Sequence, residues 1–281
     1  MLSLLSDLIG EEVIKIDPVA GGDTHLSYRV LLKDGSVFLK TNRNDNASYL
    51  LDSEYSQLSF LQEKIPGHVP EVLDIKSIDG RTFLFIEYIE TADYFSSHLS
   101  LAVLIDKLHN FSSAYYGWEK NNYIGLLPQR NNKTESLKDF MDQERWSPQV
   151  IMARDNGYLT GEEVQLYEGF LRNVSEILPD DGPHLVHGDL WSGNYFQARN
   201  GVYYLCDPAL YYGHREMDLA MMKLFKGFHD DVYNNYEEIS GIDPLWRSRT
   251  SIFQLYPLMV HLNLFGLGYK SQVMEIIHQY A

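Results

Sequence analysis

The chain has 281 residues, long enough to bury a large core without disulfide or metal support, and its length suggests about two domains. Its 23 basic residues against 39 acidic ones give a formal charge of −16, which argues against a nucleic-acid backbone binder built on clustered lysine and arginine. The single cysteine, Cys206, excludes an internal disulfide and every multi-cysteine zinc pattern. The opening apolar run ends at Asp7 with no basic residue before it, and no stretch approaches a membrane span. A soluble, cytoplasmic protein is therefore expected.

The first third alternates as strands do. Residues 28–32 and 37–40 flank Asp34-Gly35, the chemistry of a tight hairpin turn. Apolar residues at helical spacing predict a helix over 47–64, stopped by Pro66-Gly67, and a second strand pair over 72–78 and 82–89 turns at Asp79-Gly80. Beyond residue 93 the pattern predicts long helices at 95–116, 134–154, 160–178, 214–236 and 246–280, interrupted by a β-rich island at 185–207. The fold class expected is α+β, with an N-terminal sheet lobe over 1–90 carrying one helix and a mostly helical lobe over 91–281.

The island carries the chemistry. His187-Gly188-Asp189-Leu190-Trp191-Ser192-Gly193-Asn194 is followed, beyond a hairpin turn at Asn200-Gly201, by Cys206-Asp207-Pro208. Phosphoryl transfer needs one carboxylate to take the acceptor's hydroxyl proton, and a second carboxylate with an amide oxygen to hold Mg²⁺ against nucleotide phosphates. The spacing fits Asp189 as the base and Asn194 and Asp207 as metal ligands, as in the catalytic loops of kinases. His187 is expected to prop the loop by hydrogen bonding.

The sheet lobe is expected to bind ATP. Gly21-Gly22-Asp23-Thr24-His25 forms a glycine turn able to approach phosphates through backbone N–H groups, although as a motif it is weak. Lys40 ends an apolar strand where a kinase needs its phosphate-contacting lysine, and Glu54 in the next helix is the expected partner, with Glu63 as the alternative. Residues 85–89 would form the hinge, reading adenine through the main chain of Glu87, Tyr88 and Ile89. The aromatic and imidazole groups of Trp191, Tyr211, Tyr212 and His214 either pack the lobe or bind the acceptor.

The segments HGDLWSGN (187–194) and YLCDPALYYGHREMDLAM (204–221) resemble the fructosamine/ketosamine-3-kinase family. The resemblance extends to Phe38-Leu39-Lys40-Thr41-Asn42, Asn122–Gln129 and His261-Leu262-Asn263-Leu264-Phe265-Gly266. It implies a protein-kinase-like fold and ATP-dependent phosphorylation of the third sugar carbon of a ketosamine or other glycated amine, which makes the adduct unstable and frees the amine. By position it also implies that Asp218 braces the catalytic loop and that Asn121–Gln129 lies at the rim of the acceptor site. Relatives often carry a cysteine where this chain has Asp23, so no redox switch is expected there. The alternatives are an aminoglycoside- or choline-type kinase with the same ATP apparatus, and a nucleotide-binding pseudokinase.

Overall fold

A computed structural model of the chain describes residues 2–19, 25–42, 48–92, 97–179 and 181–281. These fall into two compact units, the first containing residues up to Ser100 with Gly193–Pro208, the second Leu101–Ser192 with Ala209–Ala281.

The first unit opens with helix α1 (Leu2–Ile9) and strand β1 (Val13–Val19), neither foreseen from the sequence. The hairpin β2 (Leu26–Leu32) and β3 (Gly35–Thr41) follows, then helix α2 (Ser48–Lys64) and the hairpin β4 (Val72–Ile78) and β5 (Arg81–Glu87). The five strands form one antiparallel sheet in the order β1-β2-β3-β5-β4. Leu5 and Leu8 of α1 close an apolar cluster with Val30, Leu39, Phe83 and Phe85 on one sheet face, so the amphipathic start of the chain serves as a cover. Helix α2 buries Leu50, Leu51, Glu54, Gln57, Leu58 and Leu61. This three-and-four spacing places a glutamate within the apolar stripe, where a carboxylate requires a partner.

Within the second unit's span of chain, helix α3 (His98–His109) is shorter than the expected 95–116 and begins just before the unit does. The hairpin β6 (Asn122–Ile124) and β7 (Leu127–Gln129) comes next, then helix α4 (Leu137–Phe140), a π-helical turn at Met141–Trp146, and helices α5 (Ser147–Asp155) and α6 (Gly161–Val174). Thr160 starts α6 with a reciprocal capping box to Glu163, which satisfies two otherwise orphaned N–H groups.

The island resolves into four short strands, β8 (His184–Val186), β9 (Tyr195–Gln197), β10 (Tyr203–Leu205) and β11 (Tyr211–Gly213). They pair as two separate ladders, β9 with β10 and β8 with β11. The β9–β10 hairpin is tied to the first unit by Leu205 N donating to His68 O at 2.8 Å and Ala92 N donating to Gln197 O at 2.7 Å. One continuous stretch of sequence is thus shared between the two units.

The helix expected over 214–236 is instead α7 (Glu216–Leu224) and α8 (Asp230–Ser240). Lys226 and Gly227 between them have φ of 61° and 98°, which no right-handed helix accommodates. The helix expected over 246–280 is likewise divided into α9 (Trp246–Phe265) and α10 (Lys270–Tyr280), with Gly266 at φ 86° and a 3₁₀ turn at Leu267–Tyr269 between them. Pro257 is tolerated inside α9. The core of this unit gathers Phe140, Trp146, Phe170, Ala220, Phe253 and Met259.

Candidate active site

In the first unit, Lys40 Nζ donates to Glu54 Oε1 at 2.6 Å and also to Asp207 Oδ1. The predicted choice of Glu54 over Glu63 follows from the helix period, since Glu54 shares a face with Leu50 and Leu58. Burial disfavours a charged Lys40, but Asp207 and then Glu54 outweigh it and hold the ammonium above its usual range. At Asp207 desolvation opposes ionisation, and Lys40 wins, holding the carboxyl below its usual range. Burial is the largest influence on Glu54 and pushes it up to about 7 despite Lys40.

Asp207 adopts φ of 52°, the left-handed region that aspartate tolerates better than most residues. Cys206 N donates to Asn194 O at 3.0 Å, and Asn194 Nδ2 lies 3.5 Å from Asp207 O, so the amide residue and the carboxylate residue share one end of the β9–β10 hairpin. Carboxylate and amide oxygens are the hard donors that magnesium takes. The residues present fit that ion.

His25, at the start of the first hairpin, lies within electrostatic reach of this group. Burial and then Lys40 pull its imidazole down to about 4, with Asp207 opposing. It is a neutral ring at physiological pH. Gly21, Gly22 and Asp23 lie outside the described residues. At the expected hinge, Glu87 N donates to Glu71 O at 2.8 Å, so its N–H is already engaged. The Tyr88 ring carries the Arg29 guanidinium at 4.5 Å, and Ile89 follows beyond the end of β5.

In the second unit, the loop leading to Asp189 is held from beneath by Asp218. This fully buried carboxylate accepts from His187 N at 2.7 Å, Gly188 N at 2.9 Å and His109 Nε2 at 3.1 Å. Burial raises its pKa, but the His109 hydrogen bond leads the influences that hold it below the usual range. The bracing role expected of Asp218 is what these bonds provide. His187, also buried, accepts from Asp189 N at 3.4 Å through Nδ1, a loop-supporting contact. Asp189 itself is half-buried.

Gly188 has φ of 82°, and a Cβ there would sit 2.0 Å from Ala209 O. Gly188→Ala therefore forces apart the loop and the 209–211 segment. The left-handed backbone alone costs about 1–2 kcal/mol for a residue with a Cβ. A lowered thermal midpoint together with a loss of turnover is expected, checked by differential scanning calorimetry and a kinetic assay.

Two of the four acceptor candidates are corrected by burial. Tyr211 is fully buried, with the Arg145 guanidinium 3.9 Å above its ring and its hydroxyl on Met217 Sδ. His214 is buried as well, pairing with Asp181 and stacking on Phe253. Neither offers a surface to a ligand. Tyr212 is half-buried, 5.4 Å from the Trp118 ring, a neighbour that sequence spacing did not indicate. Trp191 remains 40 % exposed, and its backbone N–H donates to Asp189 O at 3.0 Å.

The side chains of Asn122 and Gln129 are corrected in the same way. Both are buried rather than at a rim: Asn122 Nδ2 donates to Leu210 O at 2.8 Å, and Gln129 Nε2 to Ala209 O at 3.1 Å, while Tyr256 donates to Gln129 Oε1 at 2.8 Å. Arg145, also missed, projects from the π-helical turn to bond Asn131 Oδ1 at 2.7 Å. Its one sequence signal is a cation between the apolar residues Met141 and Trp146. Together these groups fix the main chain immediately after Asp207-Pro208.

Known proteins resemble this chain along its whole length. The model of the fructosamine kinase family matches residues 2–281. A protein named "Probable ketoamine kinase" from Enterococcus faecium is 32% identical over 271 residues, covering 95% of each chain. The chloroplastic protein-ribulosamine 3-kinase of Arabidopsis thaliana is 29% identical over 282 residues, covering 99% of this chain and 86% of its own. A Thermobifida fusca crystal structure assigned to fructosamine-3-kinase superposes with a TM-score of 0.86 at 28% identity, covering 99% of this chain and 97% of that one. An aminoglycoside phosphotransferase solved with ADP and hygromycin B reaches 0.66 at 14% identity over 100% of this chain and 99% of its own, a likeness of fold.

Proposed function

The chain belongs to the fructosamine kinase family, and we propose on that premise that it transfers the γ-phosphoryl group of ATP to the 3-hydroxyl of a ketosamine. The observation that carries the reading is the pair of strand Lys40 with helix Glu54, the pairing by which a kinase positions its phosphate-contacting lysine, with Asp207 beside it. An acceptor that is a sugar joined to an amine also suits a strongly acidic chain better than a polyanion does. Among the described residues no helix is long and apolar enough to cross a membrane.

In this reading the Asp189 carboxylate takes the proton of the acceptor hydroxyl as its oxygen attacks the γ-phosphorus. The bond to the β-phosphate oxygen breaks, and ADP departs with the electron pair. Lys40 contacts the α- and β-phosphates, and Glu54 positions Lys40. Main-chain groups at Tyr88 and Ile89 read adenine. Asn194 and Asp207 would hold Mg²⁺, which when bound neutralises phosphate charge. Catalysis then rests on positioning and electrostatics. Trp191 and Tyr212 are the acceptor contacts retained.

The test is an ATP-consumption panel over erythrulosamine, ribulosamine, fructosamine, an aminoglycoside and choline. Turnover of at least one ketosamine with none of the last two is expected. Turnover of the aminoglycoside or choline alone overturns the acceptor assignment. ATP binding without turnover of any of the five marks a pseudokinase.

A further inference from the structure

The motif His261–Gly266 has no part in the chemistry described so far, yet its side chains stand together at the C-terminal end of α9. The His261 ring lies 4.7 Å from Phe225, 5.4 Å from Phe265 and 5.1 Å from Tyr269. His261 Nδ1 is 2.7 Å from Pro257 O, a contact that requires the proton on Nδ1 and leaves Nε2 as the acceptor. Burial lowers the imidazole pKa, against the Pro257 carbonyl, and so favours the uncharged ring. The cluster is thus an uncharged aromatic surface, and it is open: Phe265 is 55 % exposed, as are the nearby Leu267 and Leu126 to a similar degree. Leu126 stands next in sequence to Gly125, where a Cβ would lie 3.2 Å from Leu264 Cδ1, the neighbour of Phe265.

Main-chain proximity links this surface to the acceptor loop. Phe225 is followed by Lys226 and Gly227 in the left-handed bend that ends α7, and Gly227 packs so closely on Ser192 that a Cβ there would meet Ser192 Cβ at 2.4 Å. Ser192 adjoins Trp191, the exposed ring three residues from the catalytic loop's His187-Gly188 turn. A ketosamine has two ends, the sugar that is phosphorylated and the substituent on its amine. Resting on the function proposed above, we infer that Phe225, His261, Phe265 and Leu126 form the wall against which an apolar alkyl substituent of that amine lies, as the methylene chain of a glycated lysine would. Apolar chains gain about 0.8 kcal/mol for each methylene removed from water, and aromatic faces supply that cover without demanding a fixed hydrogen-bonding pattern.

The experiment compares ribulosyl-methylamine with ribulosyl-hexylamine, which share the sugar and the reacting hydroxyl. The wild type is expected to favour the hexylamine adduct in kcat/KM by about tenfold or more. Phe265→Ala and Leu126→Ser, both changes at exposed side chains, are expected to reduce that ratio about tenfold, equivalent to about 1.4 kcal/mol. A wild type that does not distinguish the adducts, or two folded variants that keep the wild-type ratio, overturns the wall while leaving the kinase reading intact. Equal losses on both adducts also overturn it. A wild type that consumes neither adduct overturns the kinase reading, and the wall with it.

Discussion

Asp189→Ala is expected to bind ATP as the wild type does and to lose turnover by about 10²- to 10⁴-fold, the usual contribution of a positioned general base. The reason lies in how the loop is held. Asp218 accepts two successive backbone N–H groups, from His187 and Gly188, and His187 Nδ1 accepts the N–H of Asp189 itself. Because the scaffold is built from main-chain bonds, truncating the Asp189 side chain leaves it in place. The loss then falls on kcat, with the nucleotide Kd unchanged, since the groups assigned to phosphates stand on the other unit. Calorimetric titration of ATP alongside steady-state kinetics separates the two quantities. Near-normal kcat in this variant would remove Asp189 as the base.

Lys40→Met is expected to be the more disruptive substitution, because it strands two carboxylates that now share one cation. Removing one partner of a buried pair costs about 3–5 kcal/mol. The half-exposed Asp207 side chain brings the expected loss to the lower part of that range, because water screens it. Stability and turnover should both fall. Adding Glu54→Gln to Lys40→Met removes one of the two carboxylates. The double variant should regain much of the lost stability, since Glu54 is the group that burial already pushes toward its neutral form, and it should stay inactive. Thermal unfolding and ATP titration of the single and double variants check this. Recovery of activity in the double variant would show that Lys40 has no role toward phosphates.

Local periodicity made much of the first unit legible. The hairpins at Asp34-Gly35 and Asp79-Gly80 and helix α2 follow from turn chemistry and spacing, and each stands within a few residues of its expected place. The opening helix and β1 escaped because both are short and take their place only from the sheet: Leu5 and Leu8 of α1 pack on its face, and β1 pairs with β2. The long helices of the second unit were overextended at Lys226-Gly227 and at Gly266, where positive φ ends a helix that hydropathy alone would continue. At the site, Lys40 with Glu54 was readable because strand end and helix face each restrict where a charge can go. Tyr211 and His214 were not, since their neighbours in sequence are equally aromatic and nothing local distinguishes a ring that packs from one that waits for a ligand.

The order and spacing of Lys40, Glu54, Asp189, Asn194 and Asp207 were legible in the chain, because charged and amide groups at turns and strand ends stand where the backbone can present them. Burial is another matter. It was folding that placed Arg145 over Tyr211, sank Asn122 and Gln129 beneath the 209–210 carbonyls and left Trp191 and Phe265 in the open. Whether a side chain is covered depends on elements far away in sequence, and no window of neighbouring residues contains that information.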